Sequence, residues 1–300
     1  RHYSHLLAFY PLAVLTPDTD EGAKLLRTSL DHWLDVTFHR KNPTKAMAVT
    51  GYTATGAASM YAMLGDAEKA YQYLDYFIEH DRVSKTNMYA EGNPVIESLL
   101  SFATSVHDML LQSWGGKIRV FPAVPSEWKD VAFHHLRTQG AFLVSAKRMD
   151  GVTEFVNVES LIGSPCIVRI DIAEPVVSIN GKTANRDQVR QTDDGAYAVA
   201  IEKGEVVTFS RVGLEQTDLR IQANPISDDD RNLFGFNAKS RRLPGHRHYD
   251  VKNRSHTTGS PSRPDSKQQP KQPIPLRKLR IRPVRLRMRP PMLPPARWMR

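Results

Sequence analysis

Residues 87–128 read NMYAEGNPVIESLLSFATSVHDMLLQSWGGKIRVFPAVPSEW, and within them a helical pattern hands over to a strand pattern. Ile96, Leu99, Leu100, Ala103, Val106, Leu110 and Trp114 recur at the spacing of one helix face. Glu97, Ser101, Thr104 and Asp108 fall on a second, polar stripe. Asn93 is the predicted N-cap and Pro94 the first helical position, where its missing N–H costs nothing. Gly115-Gly116 ends the pattern, and from Lys117 the period falls to two.

On the N-terminal side, residues 1–115 read as helices, about five of them. Met60, Met63, Leu64, Ala67, Tyr71, Leu74 and Ile78 keep a helical period, and Gly65-Asp66 breaks it as a turn between two antiparallel helices. No second copy of this hairpin follows at the 34-residue spacing of a helical repeat array. On the C-terminal side, KIRVF, AFLVSAKR, EFVNVES, CIVRIDI, VVSIN, YAVAI and VVTFS read as short strands. Turn signals divide them at Asp150-Gly151, Gly163-Ser164-Pro165, Asn180-Gly181, Asp194-Gly195 and Lys203-Gly204. Helices followed by strands, without alternation, predict two packed modules. The fold class is therefore α+β and multidomain: a helical module over 1–115 and a small antiparallel β-sandwich over 116–211.

Charge is distributed as unevenly as texture. The net +9 conceals a tail over 212–300 that holds 20 of the 41 Lys and Arg and 7 of the 32 Asp and Glu. Residues 1–211 keep 21 basic against 25 acidic side chains and are mildly acidic. Twelve of the twenty prolines also lie beyond Arg211. Such a segment cannot bury enough apolar surface to offset its ordering entropy, so it reads as disordered, or as an appended and non-native reading frame. A basic tail could hold phosphates, which makes nucleic-acid binding a rival reading testable by its salt dependence. No run approaches the roughly 18 apolar residues of a membrane span, so no membrane partner is expected. The lone Cys166 excludes an internal disulfide and, in an apolar run, reads as a buried thiol. The first residue is Arg1, and HYSHLLAFY lacks the basic region and cleavage site of a signal peptide. The expectation is that this chain is the back part of something longer.

Several stretches, taken in order, resemble glycoside hydrolase family 95, the α-L-fucosidase-like enzymes. RHYSHLLAFYP is similar to that family's Arg-His-x-Ser-His-Leu segment, and MLGDAEKAYQYL to its Leu-Gly-Asp helix hairpin. EGN resembles its Asp-Gly-Asn turn; HDMLLQSWGGKIRVFPAVPSEW resembles its Met-Leu-Leu-Gln-Ser helix and Leu-Pro-Ala-Leu-Pro link. LRTQGAF is similar to its Leu-x-x-x-Gly-Gly-Phe strand entry. The likeness covers about residues 1–170. It implies the last third of an (α/α)6 toroid followed by a sandwich, with no cofactor, in an enzyme exported to the periplasm or outside the cell.

By that resemblance the chemistry is inverting hydrolysis of terminal α-L-fucosyl or related residues on a glycan. Two carboxyl groups about 6.5–9.5 Å apart then protonate the leaving oxygen and activate a water. The base-side carboxylate falls on Glu91, with Gly92 and Asn93 completing its turn. The general acid belongs to a segment this chain does not contain, so the chain alone is expected to be inactive. Glu91 is one methylene longer than the family's aspartate, and Glu97 is the competing carboxylate, which equally suits the positive end of a helix. Arg1, His2 and His5 are implied as a wall for sugar hydroxyls, with His2 and His5 on one face if their segment is helical. They are not read as a metal site, because no third ligand is placed by sequence. Tyr52, Tyr89 and Trp114 could stack on a sugar, with Tyr89 the pocket candidate and Trp114 core. His134-His135 receives no chemistry. A non-catalytic carbohydrate-binding scaffold on the same fold is the other rival reading.

Overall fold

The computed structural model describes residues 2–39, 51–79, 89–90, 94–163, 165–214 and 218–221. Arg1, Glu91, Gly92, Asn93, Ser164 and residues 222–300 of the tail lie outside the described residues. Among the described residues there are four α-helices: α1 (Asp20–His39), α2 (Gly51–Met63), α3 (Ala67–Glu79) and α4 (Ile96–Leu110). A 3-10 turn over Ser4–Leu6 precedes them.

Helix α2 organises the rest. Every residue of it except Tyr52 is buried, because its sequence is small or apolar on all sides. Gly65, at φ +70°, makes the turn into α3, and Asp66 accepts from the Lys69 N–H at 3.3 Å as the cap of that helix. Helix α4 then runs parallel to α2. Gly51 abuts Ser98, the Thr55 and Ser101 hydroxyls meet at 2.9 Å, and the Ser59 hydroxyl donates to Ser105 at 2.9 Å. Leu26, Leu30, Trp33 and Leu34 of α1 close the cluster around Met60, Leu74 and Met109.

The strands are β1 (Tyr89–Ala90), β2 (Pro94–Val95), β3 (Leu111–Gln112), β4 (Lys117–Val120), β5 (Val131–Thr138), β6 (Phe142–Met149) and β7 (Val152–Ser160), followed by β8 (Cys166–Arg169), β9 (Val176–Ile179), β10 (Lys182–Thr183), β11 (Val189–Gln191), β12 (Tyr197–Val199) and β13 (Val206–Ser210). Apart from the small β1–β2 pair they form two sheets, one ordered β10-β9-β13-β7-β6-β5 and the other β11-β12-β8-β4-β3. Both contribute to one apolar core, with Val144, Val156, Val158, Val207 and Phe209 from the first and Ile118, Val120, Val168 and Val199 from the second. Cys166 belongs to this core, where burial pushes its thiol pKa up to about 12, so it is inert as a nucleophile.

Several expectations need correction. Helix α4 starts at Ile96 and not at Pro94, because Pro94 and Val95 pair with β1 and Val95 is extended. It ends at Leu110 and not at Trp114, because Leu111 and Gln112 are captured by Val120 and Arg119 of β4. The expected apolar stripe of α4 is also wrong at two positions. Ile96 and Leu100 are 60% and 62% exposed, while Ser98 and Ser105 are buried against the small residues of α2. Ile78 is likewise exposed, and Phe77 takes its place in the core of α3. The sheets are antiparallel-rich, yet β4 and β8 run parallel. That follows from the chain's crossing into the other sheet for β5, β6 and β7 in between. Strand β5 escaped the sequence pattern because a bulge at His134-His135 interrupts its alternation.

Candidate active site

The flanks of Glu91 are placed even though Glu91, Gly92 and Asn93 are outside the described residues. Tyr89 pairs with Val95 and Ala90 with Pro94, directly before α4 begins. The same end of the helical module carries the start of α2, where a Cβ on Gly51 would lie 2.6 Å from the Ser98 hydroxyl and 3.0 Å from the Phe77 ring. Tyr89, expected in a pocket, is a core residue instead. It is 3% exposed, and its ring stacks on Phe77 with centroids 4.6 Å apart. Glu97, in the first turn of α4, is exposed, as its reading as a partner of the helix's positive end requires.

The N-terminal segment reaches this end from the other side of α2. The Tyr3 ring lies so close on Gly56 that a Cβ there would come within 2.3 Å of it. Gly56 is five residues into α2, about 7.5 Å along its axis from Gly51. Tyr3 also packs edge-on against Trp33 at 5.7 Å, and His5 faces the same indole at 6.4 Å. His2 and His5 are both exposed. The helical turn spans only Ser4–Leu6, so His2 precedes it and the two do not share a helix face. Tyr52, at the open end of α2, is 37% exposed and within electrostatic reach of Tyr3.

Toward the far end of α4, in its last turn, lies a group read as part of the polar stripe that does not simply face water. The Asp108 carboxyl points inward, and its Oδ2 is sealed from solvent without a hydrogen-bond partner. Burial pushes its pKa up to about 6, against the opposing pull of the Ser59 and Tyr10 hydroxyls. Burial also raises Tyr10, with the Asp108 charge adding to it, and lowers the neighbouring His107. Asp108 therefore ties three elements together: α4, α2 through Ser59, and the N-terminal segment through Tyr10. The signal that could have found it was available in sequence. Asp108 lies three residues after Ser105, on the side of α4 that the hydroxyls of α2 select.

The motif carrying the strongest likeness turns out to be structural. Met109, Leu110, Leu111 and Gln112 are all buried. Gln112 Nε2 donates to the Asp108 carbonyl at 2.8 Å, and its Oε1 accepts from the Trp114 indole at 2.9 Å. The Arg119 guanidinium lies 3.3 Å from the Trp114 ring centroid and holds Asp18 through two bonds of 2.8 and 2.7 Å. This joint binds the loop before α1 to β4. Trp114 is half-buried within it, consistent with a packing role.

Comparison with known proteins follows the same division. Residues 1–110 match the family model of the glycosyl hydrolase family 95 catalytic domain, and residues 112–209 that of the glycoside hydrolase family 95 C-terminal domain. The chain is 26% identical over 201 residues to alpha-L-fucosidase 2 of Arabidopsis thaliana, covering 63% of this chain and 22% of that protein. It thus spans about a fifth of the length of the curated relative it matches. A crystal structure of a GH127 beta-L-arabinofuranosidase from Geobacillus stearothermophilus T6 matches 54% of this chain and 31% of its own, at 12% identity. Its TM-score is 0.24, too low to carry an argument.

Proposed function

We propose, from the premise that this chain belongs to glycoside hydrolase family 95, that it forms part of an inverting glycosidase acting on terminal α-L-fucosyl or related residues. The observation that carries the reading is the unbroken succession of the two family domains along residues 1–110 and 112–209. The α-L-fucosyl specificity is suggested by the activity named for the Arabidopsis relative. In this reading the helices are the closing part of an (α/α)6 toroid. Support comes from the parallel course of α2 and α4 with α3 returning between them, as an alternation of inner and outer helices needs. The two sheets with their common core are its C-terminal sandwich.

Glu91, which lies between β1 and β2 in the sequence, is the base-side carboxylate. It draws a proton from a water that attacks the anomeric carbon from the face opposite the leaving oxygen. Asn93, Arg1, His2 and His5 bind sugar hydroxyls around it. Glu97, in the first turn of α4, remains the alternative carboxylate. The acid that protonates the leaving oxygen is supplied from outside these 300 residues. Residues 212–300 have no part in the chemistry, and the enzyme works outside the cytoplasm.

The test is hydrolysis of an aryl α-L-fucoside. Residues 1–300 alone are expected to release no aryl alcohol. In a protein extended N-terminally to the span of the relative, turnover yields the β anomer first by proton NMR, and Glu91→Gln lowers kcat by about 100-fold to 10,000-fold. Turnover by residues 1–300 alone, retention of configuration, or an indifferent Glu91→Gln variant each overturns the assignment.

A further inference from the structure

The segment that carries His2 and His5 is anchored unevenly. Leu6 and Phe9 are buried among the helices. Beyond them Leu12, Val14 and Leu15 are exposed, so the loop leading to α1 gains little from the hydrophobic effect. Ala13 also stands at φ +47°, a costly conformation for a non-glycine residue. A loop of this kind keeps one shape only if polar contacts fix it.

Backbone hydrogen bonds make the segment one unit. The Leu6 N–H donates to the Tyr3 carbonyl at 2.8 Å across the turn that holds His5, and Phe9 and Tyr10 donate to the Leu6 carbonyl at 2.9 and 3.0 Å. Val14 and Leu15 both donate to the Ala8 carbonyl, at 2.8 and 2.9 Å. Next along the chain, the Thr16 carbonyl lies against Gly22, where a Cβ would come within 2.1 Å of it, and Pro17 restricts the backbone. The Thr19 hydroxyl then caps α1 by accepting from the Gly22 N–H at 3.1 Å. A displacement at residue 18 is therefore passed along to His5.

A charged contact in this stretch leads out of the helical module. Arg119 of β4 donates from Nη2 to both Asp18 oxygens, at 2.8 and 2.7 Å. Its Nη1 donates to the Trp114 and Lys117 carbonyls at 2.8 and 3.0 Å, and the Trp114 ring covers one face of the guanidinium. The arginine side chain is 8% exposed. The contacts within the β module thus orient it, and it offers the loop one preset direction. A pair this enclosed is screened little by salt.

We infer that Arg119 is a positioning residue through which the β module holds the sugar-binding side of the helical module. It fixes Asp18, and the hydrogen-bonded loop carries that constraint to the turn of His5. The β module then takes part in substrate binding without touching the sugar. That role rests on the hydrolase reading, whereas the clamp on the loop does not. A second contact between the modules serves as a control. The Glu68 carboxylate of α3 accepts from the Ser126 N–H and hydroxyl at 2.9 and 2.8 Å, and it joins the modules without involving the loop.

Two measurements test it. In residues 1–300, amide hydrogen exchange at Phe9, Tyr10, Val14 and Leu15 reads the loop. Asp18→Ala leaves the Arg119 contacts inside the β module in place and is expected to speed that exchange about tenfold or more. Arg119→Lys keeps the charge but not the planar set of donors, and speeds it by a smaller factor. Glu68→Ala leaves it within about twofold. In the N-terminally extended protein, turning over an aryl α-L-fucoside, Asp18→Ala raises KM about tenfold with kcat within about threefold, as loss of uniform binding requires. A merely structural loss lowers kcat through the folded fraction and leaves KM unchanged. Unaltered exchange in Asp18→Ala, an equal acceleration in Glu68→Ala, or a fall in kcat at constant KM overturns the inference. If the extended wild type is inert toward the fucoside, the hydrolase reading fails, and the exchange rates still decide whether Arg119 holds the loop.

Discussion

The two halves of this chain bury different things. Between α2 and α4 the interior is lined with Thr53, Thr55, Ser59, Ser98 and Ser105, and it reaches the Asp108 carboxyl. Between the two sheets it is mainly aliphatic and aromatic, with the buried Ser160 following Val156 and Val158 on the inner face of β7. A helix pair packed through small hydroxyl residues brings its backbones close and tolerates a carboxyl at the end of the seam. A sheet pair packed through Val, Ile and Phe has no carboxyl in its core and turns most of its polar side chains to the outer faces. The contrast separates an interior that adjusts the chemistry of a titratable group from one whose contribution is burial.

Truncation of the sheet core makes the sharpest attempt to break the contrast. Phe209→Ala removes a side chain with no exposed surface and is expected to cost about 3–5 kcal/mol in chemical denaturation. Val106 and Trp128 pack against both cores, so the helical signal should follow the sheet signal downward. A helical transition left in place by this variant would show that the two interiors are energetically separate.

Asp108 sharpens the contrast from the helical side. Its carboxyl pKa is raised on folding from 3.8 to about 6, so the folded state holds the proton more tightly than the unfolded one. The resulting stabilisation is complete below about pH 4, is lost as the pH rises through 6, and stays lost above it. Asp108→Asn is expected to flatten this dependence, and at pH 7 to match or exceed the wild type by up to about 3 kcal/mol. Melting curves between pH 4 and 7 read the difference. An unaltered pH dependence would assign the effect to another group.

A smaller effect is expected at Gly56. A methyl group there would lie 2.3 Å from the Tyr3 ring, so the ring must leave α2. Gly56→Ala should cost about 1–2 kcal/mol, the lower part of the overpacking range. It should also shift the His5 resonances, since His5 and Tyr3 share the Trp33 indole. Stable packing of Tyr3 in that variant would mean the N-terminal segment is not seated through this contact.

Much of the fold was legible because it depends on local chemistry. Asp150-Gly151 and Asn180-Gly181 sit at positive φ in the turns that join β6 to β7 and β9 to β10, as their sequences require. Gly65 makes the α2–α3 turn for the same reason. Strand β5 was missed because its bulge breaks the period that identifies strands, and the bulge is stabilised by Ser145, ten residues away. The limits of α4 were misplaced because strand pairing at Val95 and Leu111 overrides helical preference. For the candidate site, sequence likeness selected Glu91, Arg1, His2, His5 and Asn93. It could not see that Tyr89 would stack on Phe77 in the core, nor that the Asp108 carboxyl would turn inward.

What the sequence determined by itself was the order of a helical and a strand-rich module, the turns between neighbouring elements, and the family. Each of these is written in residues close together along the chain, where period and turn chemistry act. Only the tertiary structure decided which stripe of α4 is the inner one, that β4 and β8 run parallel, and that the bulge in β5 and the segment 219–221 enclose a concavity. Those outcomes depend on partners far away in sequence. Burial is a property of the neighbours a residue acquires, and a serine beside Gly51 lies deeper than an isoleucine facing water.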